Sequence, residues 1–158
     1  MIIREMTKEE CSSALGGADF GRLACARGNQ PYIVPIYFSY DGKHLYGVTT
    51  AGQKIEWMRS NPLVCLEIDE RASHFQWMSV IVFGRYEELA EAPEYADARS
   101  HALEVLQKRE TWWQTASAAT ETREQRPPIF FRIHISQVTG HRATPDAIEA
   151  AAADLLAT

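Results

Sequence analysis

The chain is poor in the residues that build covalent or metal-stapled folds. Its three cysteines, Cys11, Cys25 and Cys65, are an odd number with no close spacing. They offer no disulfide framework, and Cys25 and Cys65, set among apolar neighbours in strand-like runs, read as buried, inert thiols. The five histidines, His44, His74, His101, His134 and His141, show no ligand spacing with one another or with the cysteines, which argues against a zinc site. Positive charge is scarce too. Lys and Arg total 16 against 21 Asp and Glu, a net charge of −5, so no basic face is offered to nucleic acid. No run of about 20 apolar residues reads as a membrane span. The start, Met1-Ile2-Ile3-Arg4-Glu5-Met6, carries charge where a signal peptide needs an apolar core, so a cytoplasmic protein is expected. No catalytic triad and no carboxylate pair stands out.

What is present suits a globular core: 46% hydrophobic residues over 158 positions, with one domain as the default. Thr7-Lys8-Glu9-Glu10 is a capping box, with Met6 and Cys11 as a hydrophobic staple, and predicts a helix ending near Gly16-Gly17. Strand signals cover Arg22–Arg27, Pro31–Tyr40, His44–Thr50, Leu63–Asp69, Gln76–Leu89 and Ile129–Thr139, with turns at Gly28-Asn29 and Asp41-Gly42. Gly84 predicts a bulge or bend within the long fifth strand. A short helix spans Ile55–Ser60 and stops at Asn61-Pro62. A longer one opens at Ala92-Pro93-Glu94, and Tyr95, Ala98, Ala102, Val105 and Leu106 form its core-facing stripe. Residues 114–126 read as a polar, mobile loop, and Thr144-Pro145-Asp146 caps an alanine-rich helix over about 145–156. Six strands joined mostly by hairpins predict a mainly β protein with peripheral helices (α+β), a small antiparallel barrel.

One stretch carries ligand chemistry. Val48-Thr49-Thr50-Ala51-Gly52-Gln53-Lys54 joins a strand to the short helix, so hydroxyls, a glycine and a lysine meet at a helix N-terminus. Unpaired N–H groups and the positive end of the helix dipole favour an anion there, and a phosphate is the natural guest. The plainer alternative is an ordinary turn with a surface lysine, because the spacing is not that of a P-loop.

The order of several pieces resembles the pyridoxamine 5′-phosphate oxidase-like, FMN-binding split β-barrel family, in a branch similar to 5-nitroimidazole resistance flavoproteins. The pieces are Gly21-Arg22-Leu23-Ala24, Pro31 to Phe38, Asp41-Gly42, Leu45-Tyr46, Thr49 to Lys54, Asn61 to Cys65, Trp77 to Arg85, Phe131-Arg132-Ile133 and Val138-Thr139-Gly140. They span roughly residues 20 to 142. The resemblance implies a six-stranded antiparallel split β-barrel in one domain over residues 1–158, working as a homodimer with FMN at the subunit interface. It places the FMN phosphate on Lys54, Thr49 and Thr50, with Gln53 standing where relatives often carry a second base. Val34, Pro35, Ile36 and Tyr37 would run along the isoalloxazine ring through backbone groups, with a ladder break at Pro35, which has no N–H. Ser79 falls where relatives reach the flavin from the long strand, and Trp77 shares its strand face.

Other candidates have plainer readings beside the functional ones. Trp77 could equally be a rim or interface tryptophan. Trp112-Trp113 reads as packing, with a substrate lid as the alternative. Arg132 and His134 share one face of the last strand and could meet an anion, as could Arg22 and Arg85, but surface pairing is commoner. His74 could donate a proton near a flavin. The implied function is an FMN-dependent oxidoreductase, reduced by a nicotinamide and reoxidised by a small acceptor such as a nitroaromatic or quinone. The alternatives are a flavin-binding or sensing dimer without turnover, a scaffold without ligand, or a haem- or deazaflavin-binding relative. A second phosphate site for pyridoxamine phosphate would need a basic cluster that the C-terminal part lacks.

Overall fold

The computed structural model describes residues 1–108 and 127–147. Among them, one antiparallel sheet contains β1 (Ile2–Glu5), β2 (Phe20–Arg27), β3 (Gln30–Tyr37), β4 (Ser39–Tyr40), β5 (His44–Thr49), β6 (Leu63–Arg71), β7 (Trp77–Glu88) and β8 (Ile129–Thr144). Its order is β3-β2-β6-β7-β8-β5-β4, with β1 paired to the far end of β8. The sheet curls until β3 touches β5 across an unpaired split. Among the described residues three helices accompany it: α1 (Lys8–Gly17), α2 (Gln53–Ser60) and α3 (Ala96–Gln107), the last entered through a 3₁₀ turn at Pro93–Tyr95. No described helix is long and apolar enough to cross a membrane.

Eight strands stand where the sequence indicates six. β1 was hidden because all four of its residues are exposed, so it shows no apolar alternation; backbone pairing from Ile2↔Thr144 to Glu5↔His141 holds it. That pairing also carries β8 past Thr139 to Thr144. The expected strand Pro31–Tyr40 is two strands, broken at Phe38. There the ring is buried and the N–H donates to Asp19 O at 2.9 Å, the last bond of the β2–β3 register, and beyond it Ser39 and Tyr40 pair with Tyr46 and Leu45 of β5 at the opposite edge of the sheet.

The break expected at Pro35 is absent. β2 and β3 pair without interruption from Phe20↔Tyr37 to Arg27↔Gln30 around Gly28-Asn29, both at positive φ, a type I′ hairpin. In such a hairpin Arg27 and Gln30 are a hydrogen-bonded pair, so alternate residues of β3, including Pro31 and Pro35, direct their backbone toward the open edge. A proline there costs no ladder bond.

The barrel interior is filled by Leu23, Leu66, Val80, Val82, Phe131 and Ile133. Its ends are plugged by Cys11 and Leu15 of α1 and by Ile55 and Met58 of α2. The capping box forms as expected: Glu10 N–H donates to Thr7 Oγ1 at 3.2 Å, and Thr7 N–H to Glu10 Oε2 at 2.9 Å. A second cluster lies outside the barrel, where Ala102, Val105 and Leu106 of α3 cover Tyr46, Leu89 and Phe130. The bulge expected in β7 lies instead in its partner: Phe83 pairs with Gln137 and Gly84 with Ile135, so the extra residue is Ser136 of β8, while β7 pairs with β6 unbroken. A Cβ at Gly84 would lie 2.5 Å from Ile133 Cγ2 and 2.7 Å from His134 O, so β7 admits only glycine opposite this bulge without movement. Trp112-Trp113, the loop at 114–126 and nearly all of the helix expected over 145–156 lie outside the described residues.

Candidate functional site

The strongest site begins at the start of α2. Ile55 and Met58 anchor this helix in the barrel, Trp57 packs 5.4 Å from the Tyr32 ring, and Arg27 stacks over Trp57 at 5.2 Å. Its N-terminus is therefore fixed against β2 and β3. Gly52 supplies no side-chain cap, and its carbonyl accepts from Ile55 N–H at 3.0 Å and Glu56 N–H at 3.1 Å. The N–H groups of the helix start precede these bonds and carry the positive end of the dipole.

Lys54 is half-buried at this point, and burial pushes its pKa down, with only the nearby Cys25 thiol acting in the other direction. It forms no ion pair among the described residues. A partly desolvated ammonium without a counter-charge is an incomplete electrostatic arrangement, and an anion completes it. Thr49 is half-buried and Thr50 and Gln53 are exposed. The Thr49 hydroxyl donates only a long 3.5 Å bond to Thr50 O and so can be redirected. Cys25 pairs with Tyr32, and Val34 lies two residues along the same face of β3, so the clamp adjoins β3. Val34 and Ile36 turn inward, while Pro35 and Tyr37 are exposed on the outer face. By the hairpin parity, Val34 and Ile36 commit their backbone to β2; Pro35 and Tyr37 direct theirs to the edge. Of the four residues expected along a ring, Pro35 and Tyr37 are thus the pair whose backbone faces the open edge.

Trp77 and Ser79 share the outer face of β7, as expected, but lie elsewhere. They line a groove of about 360 Å³ with Met1, Asp69, Glu70, Arg71, His74 and Met78. Trp77 pairs with Ala143 of β8, whereas Thr49 pairs with Ile129. At about 3.3 Å per residue these β8 positions are roughly 45 Å apart along the strand. The two groups therefore lie toward opposite ends of β8.

Of the remaining candidates, Arg22, Arg132 and His134 are paired internally. Arg22 pairs with Glu67 and Asp69. Arg132 Nε and His134 Nε2 both lie 2.5 Å from Glu87 Oε2. Arg85 is exposed beside the outer face. Among the described residues no group of His, Cys, Asp or Glu could hold a metal ion. The acidic and basic lining of the groove, Asp69, Glu70 and Arg71, went unrecognised because it is set by the pairing of β6 with β7. Its one local signal was the two-residue alternation that places Asp69 and Arg71 on a single face.

An antiparallel split barrel with a half-buried lysine at the start of the helix after its fifth strand defines a class of proteins. The family model described as pyridoxamine 5′-phosphate oxidase matches residues 7–142, and the chain belongs to that family. It is similar to an uncharacterized protein of Rhizobium meliloti, 42% identical over 146 residues, which cover 90% of this chain and 97% of that protein. Among solved structures it is similar to a FAD-binding protein from Mesorhizobium loti, with 43% identity, a TM-score of 0.76, and coverage of 91% of this chain and 100% of the other. A Bacteroides thetaiotaomicron protein named for 5-nitroimidazole antibiotic resistance shares the fold, at 20% identity, a TM-score of 0.63 and coverage of 90% and 89%.

Proposed function

We propose that this chain binds a flavin nucleotide and serves as a flavin-dependent oxidoreductase. The observation that carries the proposal is Lys54, half-buried, without an ion-pair partner among the described residues and set at an uncapped helix start. The shared requirement of FMN and FAD is the phosphate next to the ribityl chain, and Lys54, Thr49, Thr50 and the first N–H groups of α2 would hold it. FMN satisfies this clamp with its single phosphate; the name of the Mesorhizobium relative speaks for FAD. The β3 edge at Pro35 and Tyr37 would bound the ring. When bound, a flavin supplies a two-electron carrier between a reduced nicotinamide and a small acceptor such as a nitroaromatic or quinone.

The same proposal includes a second copy of the chain. Trp77 and Ser79, toward the other end of β8 from the Lys54 clamp, would reach its flavin from a partner subunit. The outer face supports this pairing. Ile33, Ala24, Cys65 and Phe83 form one row across β3, β2, β6 and β7, with Leu63 on the same face. Ile33 and Leu63 are each 61% exposed and Phe83 41%, an apolar stretch of the kind that marks an interface.

The test is a visible absorption spectrum of the purified protein before and after adding FMN or FAD. Flavin bands with quenched fluorescence on titration support the proposal, and chromatography of the released nucleotide separates FMN from FAD. A Soret band assigns haem instead, and no uptake of either flavin sinks it. Bleaching by a reduced nicotinamide followed by steady turnover with an acceptor supports the enzyme; binding without turnover leaves a flavin-binding dimer.

A further inference from the structure

The strand β2 ends on a cation that the Lys54 clamp does not use. Arg27 lies two residues beyond Cys25 on one face of β2, the face on which the Cys25 thiol adjoins Lys54. On α2, Trp57 follows Lys54 by one turn and shares its flank of the helix. The Arg27 guanidinium lies 5.2 Å from the Trp57 ring centroid. The Tyr32 ring, opposite Cys25 in the β2–β3 ladder, meets the same indole at 5.4 Å. Asn61 Nδ2 donates to Ala26 O at 3.1 Å and pins the end of α2 to the end of β2. Two residues of strand, or one turn of helix, thus separate the two cations, about 5–7 Å along either backbone.

Arg27 is exposed and, like Lys54, forms no ion pair among the described residues. The arginine on the other flank of α2, Arg59, is by contrast bonded to Glu88. A guanidinium stacked on an indole face keeps its N–H groups, which lie in its own plane, free for an anion. We propose that Arg27 is a second phosphate-binding residue, so that Lys54 and Arg27 together take the two consecutive phosphates of a dinucleotide and the chain prefers FAD to FMN. This rests on the flavin reading of Lys54. FMN brings one phosphate, which leaves Arg27 without an anion. FAD brings a second phosphate joined to the first, and the planar fork of Arg27 offers it two parallel donors. Gln53, next to Lys54, brings no charge, so the second cation comes from β2. Stacking on Trp57 holds the Arg27 side chain near its working place beforehand, and less side-chain freedom is lost on binding.

The test is a fluorescence titration of the flavin-stripped full chain with FMN and, separately, with FAD at one ionic strength. The unaltered protein should bind FAD about tenfold more tightly than FMN, the scale of one charge-assisted hydrogen bond. Arg27→Ala should remove that advantage and leave FMN affinity nearly unchanged. Arg59→Gln, on the other flank of the same helix, should alter neither affinity. Equal or tighter binding of FMN by the unaltered protein overturns the second-phosphate site, and so does an Arg27→Ala protein that keeps the FAD advantage or loses both affinities alike. Each of those results leaves the flavin reading standing, because FMN still binds the unaltered protein. Failure of both nucleotides to bind the unaltered protein sinks that reading and this site with it. Should Arg27→Ala fold poorly, Arg27→Gln, which keeps the stem over Trp57 and removes the charge, takes its place with the same expected outcomes.

Discussion

At the scale of single residues, Lys54 joins two demands that conflict. Half-burying an unpaired ammonium costs stability in the free protein, and the same ammonium would anchor a phosphate. Lys54→Met should therefore raise the melting temperature of the flavin-free protein while weakening flavin binding by about 1.5–3 kcal/mol, the scale of a charge-assisted hydrogen bond. Thermal melts and fluorescence titrations check the two halves separately. Gly84 is a sharper case. Gly84→Ala places a methyl group against the His134 carbonyl and should cost about 1–3 kcal/mol in chemical denaturation. Both residues were legible in the sequence because their signals are local: a lysine at a helix start, a glycine inside a strand. The shared outer face of Trp77 and Ser79 was legible through the two-residue period of a strand. Their distance from Lys54 was not, because it follows from which strands pair along β8 and in what register.

At the scale of elements, the signals that came through were those written within a few consecutive residues. The capping box of α1, the hairpin at Gly28-Asn29 and the apolar stripe of α3 all form as their residues indicate. β1 and the split between β3 and β4 did not show, since one has no buried face and the other is a change of pairing partner from β2 to β5. The turn into β5 rests on Asp41. Burial of its carboxyl raises the pKa, but bonds from His44 N–H, His101, Lys43 N–H and Tyr46 outweigh this and bring it down to about 2. A depressed carboxyl contributes stability that is present above its unfolded value, near ~3.9, and is lost as pH falls toward the folded one. Acid unfolding between these values should be visibly steeper in the unaltered protein than in Asp41→Asn, measured by circular dichroism against pH.

At the scale of the whole molecule, the outer row of Ile33, Ala24, Cys65 and Phe83 is the surface to disrupt. Phe83→Asp should leave the monomer folded, because the side chain points away from the barrel interior, and should shift the proposed dimer to monomers in sedimentation analysis. A monomeric wild type would remove the partner from the account and leave Trp77 to its groove alone. The wide spacing of the two residue groups along β8 has a consequence in mass action. If a flavin needs Lys54 from one chain and Trp77 from another, each bound nucleotide is also a cross-link, and association and loading are thermodynamically linked. Dilution then strips cofactor from the protein, and added flavin draws monomers together. Apparent flavin affinity becomes a property of protein concentration, so the amount of chain a cell makes would set how much of it is loaded.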